Sequence, residues 1–116
     1  MTIETLYAEM LRKFPNTPIF FDHIEVEDGQ ELAPPYIVLT EIRQDPFYAD
    51  DTTYYLTVRH TIDLYTKRYD VTKIDKIEKF LRIKGITFET SVEWLDDVEM
   101  YLSSIEVQLD PSEVES

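Results

Sequence analysis

The sequence YYLTVRHTIDLY, residues 54–65, decides the fold because apolar and polar side chains alternate along it. One face carries Tyr54, Leu56, Val58, His60, Ile62 and Leu64, and the other carries Tyr55, Thr57, Arg59, Thr61, Asp63 and Tyr65. A period of two over this length predicts a half-buried β-strand. It is longer than the roughly five or six residues usual for a strand. A strand that outruns its own domain indicates a protein that assembles with others.

Two amphipathic helices are predicted, one before this strand and one after it. Residues 2–14 have Thr2 as N-cap and end at Pro15, and their apolar face consists of Ile3, Leu6, Tyr7, Met10, Leu11 and Phe14. Residues 71–84 follow the N-cap Asp70 and stop before Gly85, and their buried stripe is predicted to be Ile74, Ile77, Phe80 and Leu81. Asp75 with Lys79, and Glu78 with Arg82, are spaced for ion pairs along the second helix.

Four further strands are predicted at residues 18–24, 35–43, 87–95 and 98–109, with the last two forming a hairpin around Asp96-Asp97. Phe88, Val92 and Trp94 are predicted to share one face of the first of these two strands, and Tyr101, Ile105, Val107 and Leu109 one face of the second. Residues 25–34 and 44–53 are polar, which predicts an acidic loop and an exposed loop or arm.

The element order α-β-β-β-α-β-β with short connections predicts an α+β fold. We expect a single antiparallel or mixed sheet with two helices packed on one face. Residues 1–110 are predicted to form one domain, and residues 111–116 an acidic, frayed C-terminal tail.

Charge and composition argue against several classes of function. The 116 residues include 24 acidic and 11 basic side chains, for a net charge of -13. Such acidity disfavours binding to nucleic acid phosphates or to anionic membranes. The absence of Cys excludes disulfides and thiolate chemistry. Without a long apolar run or a signal-peptide pattern, a soluble and intracellular protein is expected.

Basic and aromatic residues are distributed unevenly. Seven of the eleven basic residues lie in residues 67–84 and give the second helix a positive face. This face is either an ordinary solvated surface or a contact patch for an acidic neighbour or another copy of the chain. The eight Tyr suit surfaces that are later buried against a partner, although single Tyr residues also line sheet edges.

No motif predicts catalysis, a metal or a cofactor. Two isolated glycines cannot build a phosphate-binding loop. His23 lies beside Asp22 and Glu25, but an alternating strand would not converge them on a metal, so we expect a hydrogen-bonded strand histidine. His60 is expected in the core with its polar atoms satisfied, and the Ser103-Ser104 pair lacks a nucleophile elbow. We therefore do not expect an enzyme.

Short motifs along nearly the whole chain resemble the tail terminator (tail completion) and minor structural proteins of long-tailed bacteriophages of Gram-positive bacteria. In chain order they are Phe21-Asp22-His23, Pro34-Pro35-Tyr36-Ile37-Val38, Tyr48-Ala49-Asp50, Asp63-Leu64-Tyr65-Thr66-Lys67, Gly85-Ile86 and WLDDVEMY from Trp94 to Tyr101. The motifs mark architecture, so the resemblance supplies no catalytic residues.

The resemblance implies a virion structural protein, made in the bacterial cytoplasm, that acts at the junction of tail and head. Such a subunit forms a ring, typically a hexamer, on the head-proximal end of the tail tube, and its partners are itself, the tube protein and the head–tail connector proteins. Candidate interface residues are Tyr48, Tyr54, Tyr55, Tyr65, Tyr69, Lys73, Lys76 and Lys79. The acidic residues 25–31 and 96–99 are candidates for the lumen, where repulsion would let DNA slide.

Two alternatives stay open. The first is a head–tail connector (neck) protein or a minor capsid protein, which can share this size and fold. The second is a small acidic module that binds and inhibits a basic protein. A small hydrolase would require a convergent cleft, which the sequence does not indicate.

Overall fold

The computed structural model describes residues 2–24, 32–42 and 58–109, and within them two helices pack on one five-stranded sheet. The elements in chain order are α1 (Ile3–Lys13), β1 (Ile19–Phe21), β2 (Tyr36–Ile42), β3 (Val58–Thr66), α2 (Val71–Ile83), β4 (Thr87–Leu95) and β5 (Met100–Leu109). The predicted α+β class and the predicted order of elements are confirmed.

The strand predicted to decide the fold lies at the centre of the sheet. The spatial order is β1-β2-β3-β5-β4, with β1 parallel to β2 and every other pair antiparallel. Ile62 of β3 lies opposite Leu39 of β2 and Ile105 of β5, so three apolar side chains form one row across the sheet. Because a slip of one residue would turn each side chain to the other face, this row fixes the register.

Both helices pack on the face that carries this row, which we call the core face. The helices and strands contribute to one buried cluster, and Phe14 at the end of α1 meets Phe80 of α2 with ring centroids 5.9 Å apart. The apolar side chains with less than 2% of their surface exposed are Leu6, Met10, Ile37, Leu39, Ile62, Leu64, Ile77, Leu81, Ile105 and Val107. The predicted packing of two helices on a single face is therefore confirmed.

The helix ends follow the predicted capping residues. The backbone N–H of Thr5 donates to Thr2 Oγ1 at 3.2 Å, and that of Lys73 donates to Asp70 Oδ1 at 3.0 Å. After α2, Gly85 adopts a φ of 72°, a left-handed conformation that glycine accepts without steric cost. Of the two predicted helix ion pairs, Glu78 with Arg82 forms at 3.7 Å.

Three predictions about element ends and burial are wrong. The first short strand ends at Phe21 rather than Ile24, because Asp22 has a φ of 71° and turns the chain away; His23 is consequently not a strand residue. The last strand begins at Met100 rather than Val98, because residues 96–99 form a turn in which Glu99 has a φ of 52°. Leu11 is 42% exposed, since α1 buries a narrower stripe of Ile3, Leu6 and Met10.

Several predictions fall outside the described residues. They are the start of the long strand at residues 54–57, most of the acidic loop at 25–31, the loop or arm within residues 43–53, and the tail at 111–116. β3 continues one residue beyond its predicted end, to Thr66.

Removing the cap of α2 tests how much the helix start contributes to stability. We expect Asp70→Ala to lower the free energy of unfolding by about 1 kcal/mol, because the N–H of Lys73 loses its side-chain acceptor. Urea unfolding measures the change. The control, Asp75→Ala, removes an exposed carboxylate inside the same helix; equal losses in both variants would contradict the capping role.

Candidate assembly interface

The β4–β5 hairpin extends past the helices that cover the rest of the core face. α2 reaches the first half of β4, where Thr90 Oγ1 donates to Glu78 Oε2 at 2.7 Å and the Arg82 guanidinium lies 5.4 Å from the Phe88 ring centre. Val92 and Trp94, later on the same strand face, are exposed. The prediction that they share one strand face with Phe88 is confirmed, and α2 does not cover them.

An aromatic patch occupies the uncovered end of the hairpin. We define it as Tyr69, Val92, Trp94 and Tyr101. The Tyr101 ring lies between the other two aromatic rings, with centroid distances of 4.8 Å to Trp94 and 6.0 Å to Tyr69. Trp94 is 46% exposed and Tyr69 is 54% exposed. Large rings that pack on each other yet stay open to solvent are typical of protein–protein contact sites.

The edge of strand β4 lies next to this patch. Within the described residues β4 pairs on one side, with β5, and nothing pairs with its outer side. Nine residues, Thr87–Leu95, therefore present alternating backbone N–H and C=O groups along a free edge. An edge of this length can accept a strand from another chain, and the aromatic patch would add side-chain contacts to those backbone hydrogen bonds.

A groove lined by lysines runs between the end of α1 and one side of α2. Its volume is about 670 Å³, and Ile37 and Leu64 of the sheet form part of its floor with Phe80. We call it the lysine groove, after Lys13, Lys73, Lys76, Lys79 and Lys84. The Lys84 ammonium lies 2.6 Å from the Glu9 carboxylate and 5.1 Å from the centre of the Phe80 ring.

The opposite face of the sheet, which we call the open face, carries a connected polar row. Thr40 and Thr61 share a hydrogen bond of 2.5 Å between their hydroxyls. Asp63 accepts from Ser104 Oγ at 2.7 Å and from Thr61 Oγ1 at 3.4 Å. Burial raises the pKa of Asp63, and the two hydrogen bonds partly oppose that rise by favouring the charged carboxylate.

Stacked aromatic rings continue the open face toward β1. The Tyr36 and Tyr65 rings stack with centroids 4.9 Å apart, and Phe20 meets Tyr36 edge-on at 6.4 Å. Burial raises the pKa of Tyr65, and the charge of Asp63 raises it further. Tyr36 is itself buried, so this cluster is packed rather than presented to solvent.

The predicted interface residues divide between these surfaces. Tyr69 belongs to the aromatic patch, and Lys73, Lys76 and Lys79 line the lysine groove. Tyr65 lies on the open face, stacked against Tyr36. The remaining three, Tyr48, Tyr54 and Tyr55, lie outside the described residues.

Sequence reasoning missed five contributors to these surfaces. Val92, Trp94 and Tyr101 belong to the aromatic patch, but alternation along a strand predicts only which side chains share a face, not which of them a helix covers. Lys13 and Lys84 come from different helices, and nothing in their spacing indicates that they line one groove. The available signal for the patch is that residues 87–95, as an extended strand, are longer than residues 71–84 as a helix.

The residues considered for chemistry do not converge. Ser104 and Asp63 are hydrogen-bonded on the open face, whereas His60 is on the core face of the same strand. His23 and Asp22 are exposed, with 3.6 Å between Nδ1 and Oδ2, and Glu25 is outside the described residues. In the described ranges no group of three potential metal ligands occurs, and no helix there is long and apolar enough to cross a membrane.

His60 differs from the prediction in one respect. It is buried as expected, at 5% exposure, but its Nδ1 has no hydrogen-bond partner among the described residues. The prediction of a fully satisfied histidine is therefore wrong for this part of the chain, because no described donor or acceptor lies within hydrogen-bond distance of Nδ1. Burial lowers the pKa of His60, while the carboxylates of Glu41 and Glu4 oppose the change.

No protein-family model matches the sequence, and no curated protein matches it. Three of the motifs quoted in the sequence analysis lie at the ends of described elements. Phe21-Asp22-His23 ends β1, Gly85-Ile86 follows α2, and residues 94–101 form the end of the β4–β5 hairpin. They thus occupy positions that set where strands stop and turn.

The buried histidine makes stability depend on pH. Folding lowers the pKa of His60. As the pH falls through about 6.5, His60 therefore becomes protonated in the unfolded chain but stays neutral in the folded chain. The free energy of unfolding should therefore fall between about pH 7.5 and 5.5, and less steeply in a His60→Met variant. Urea unfolding at several pH values measures both slopes; identical slopes would contradict a neutral, buried His60.

Proposed function

We propose that this chain is a virion structural protein of a long-tailed bacteriophage, a tail terminator. In this role a ring of subunits caps the head-proximal end of the tail tube and provides the surface that joins the head. The role requires contacts with copies of the chain and with other virion proteins, and it requires no chemistry. The observation that carries the proposal is the free edge of β4 beside the exposed aromatic patch.

The edge and the patch are suited to one continuous contact. A strand added along Thr87–Leu95 would gain backbone hydrogen bonds along much of its length. Trp94 lies on the core face of the edge strand, and Tyr69 packs against Tyr101 of the neighbouring strand β5, so a partner's side chains could cover both exposed rings. Trp and Tyr near the centre of an interface commonly dominate binding, and their truncation costs about 2 kcal/mol or more.

The choice of a phage tail protein among assembly proteins comes from the sequence. The motifs that resemble tail terminators include residues 94–101, which contribute both Trp94 and Tyr101 to the aromatic patch. The expected subunit is a small α+β domain, and the chain has that fold class. A connector or minor capsid protein would use the same kind of surface, so the distinction depends on where the protein acts in the particle.

Deleting the gene from its phage or prophage, inducing, and imaging the particles by electron microscopy tests the function directly. A terminator predicts overlong or unjoined tails beside filled heads. Free tails of normal length with leaking heads would instead assign the protein to the head side of the neck. Wholly normal virions would overturn the structural role and favour an acidic inhibitor of another protein.

Complementing the deletion with point variants tests the aromatic patch. We expect a Tyr69→Asp/Trp94→Asp double variant to restore joined tails at well under a tenth of the wild-type frequency, because charge would replace two exposed rings. Leu11→Asp is the control, since it introduces charge at an exposed apolar residue of α1 away from the hairpin. Full complementation by the double variant would show that the patch is not a contact site.

A further inference from the structure

The lysine groove combines a positive rim with an apolar floor. None of the fourteen residues that line it is acidic. Lys84 is compensated by Glu9, whereas Lys13, Lys73, Lys76 and Lys79 have no ion pair within 4 Å among the described residues. A groove of this kind would attract a ligand that carries carboxylates around an apolar side chain.

A second copy of the chain carries the complementary charge. Residues 67–84 hold seven basic and three acidic side chains, while the rest of the chain holds four basic and twenty-one acidic ones. Two copies that meet through unlike regions therefore bring opposite charges together. Contacts between like regions would bring charges of the same sign together.

One acidic segment of the described chain has the required shape and composition. The end of the β4–β5 hairpin is the exposed turn Asp96-Asp97-Val98-Glu99, with Val98 52% exposed between the carboxylates. Asp96 accepts a hydrogen bond from Trp94 Nε1 at 2.6 Å, which ties this end of the turn to the strand below it. The segment thus offers an apolar side chain flanked by acidic residues.

The turn cannot reach the groove of its own chain. Leu95 and Met100 are already paired as the last rung of the hairpin, so four residues are left to form the connection. That length closes the hairpin and leaves no chain to fold back across α2.

We propose that the hairpin end of one copy, residues 96–99, inserts into the lysine groove of the next. This inference rests on the ring assembly proposed above and names the contact between neighbouring subunits. Val98 lies against the apolar floor while the carboxylates meet the lysines of the rim. The contact joins two different surfaces, so repeating it generates a closed ring when the rotation between copies closes. It also replaces the lumenal position that the sequence suggested for residues 96–99.

Paired charge reversals test the contact. Lys73→Glu/Lys76→Glu makes the groove more negative, and Asp97→Lys/Glu99→Lys makes the hairpin end positive. We expect each variant alone to associate at least about tenfold more weakly than the wild type in sedimentation velocity runs. A mixture of the two should recover association, because each groove then meets a hairpin end of opposite charge. Lys67→Glu/Arg68→Glu, outside the groove lining, is the matched control and should behave as wild type.

Disulfide trapping detects the same contact even when it is weak. The chain has no Cys, so single cysteines introduced as Val98→Cys in one copy and Ile83→Cys in a differently tagged copy can pair with each other. Ile83 lies at the groove and is 75% exposed. We expect a cross-link between the two tagged copies that disappears when Lys73→Glu/Lys76→Glu is added to the Ile83→Cys copy. Val98→Cys with Gln108→Cys, on the open face, should give none.

The outcomes separate this contact from the proposed function. If neither charge reversal weakens association, the contact is overturned. It is also overturned if Val98→Cys and Ile83→Cys form no cross-link when the groove lysines are intact. In either case the particles of the deletion phage still decide the function. Loss of head–tail joining by the groove variant alone, with the hairpin variant complementing fully, would assign the groove to an acidic segment of another protein and also overturn the self-contact.

Discussion

The dominant constraint in this molecule is that both helices cover one face of a sheet whose hairpin is longer than they are. α2 has 13 residues and is about 20 Å long, whereas the nine residues of β4 extend about 30 Å. Whatever the angle at which α2 crosses the strands, it leaves part of the hairpin uncovered. Phe88 lies under the helix and belongs to the core periphery, while Trp94 on the same strand face is exposed. The boundary between core and surface on this strand thus lies where contact with α2 ends, beyond Thr90.

The open face is stabilised without a covering helix. Its polar side chains are connected from strand to strand, as in the contacts of Asp63 with Ser104 and of Thr40 with Thr61. The Arg59 guanidinium lies 3.2 Å from the Glu106 carboxylate on the same face, and stacked tyrosines continue it toward β1. Cross-strand pairs of these kinds each contribute a few tenths of a kcal/mol to about 1 kcal/mol. The two faces therefore differ in kind, one being packed by helices and the other held by lateral contacts.

Sequence patterns within a few residues predicted the helices and strands, but they did not predict every strand end or which surfaces meet in the fold. The two ends of α2 were predicted from Asp70 and Gly85, because capping depends on adjacent residues. The alternation around Ile62 predicted β3, because strand periodicity is also local. Asp22 and Glu99 adopt positive φ values that their residue types only weakly indicate, so β1 and β5 came out too long. The lysine groove could not be predicted from the sequence, since only tertiary packing brings Lys13 and Lys73 into the same lining.

The two edges of the sheet are unequal. β1 contributes three residues before Asp22 turns the chain aside, whereas β4 offers nine residues along its outer side within the described part of the chain. A sheet with a long free edge on both sides can pair with a further molecule at each edge, and such pairing can continue without limit. With a single long edge among its described strands, this sheet can accept one strand there and has no equivalent described edge to offer in return. Growth by strand addition would stop after one step, which protects an exposed edge from seeding fibrils.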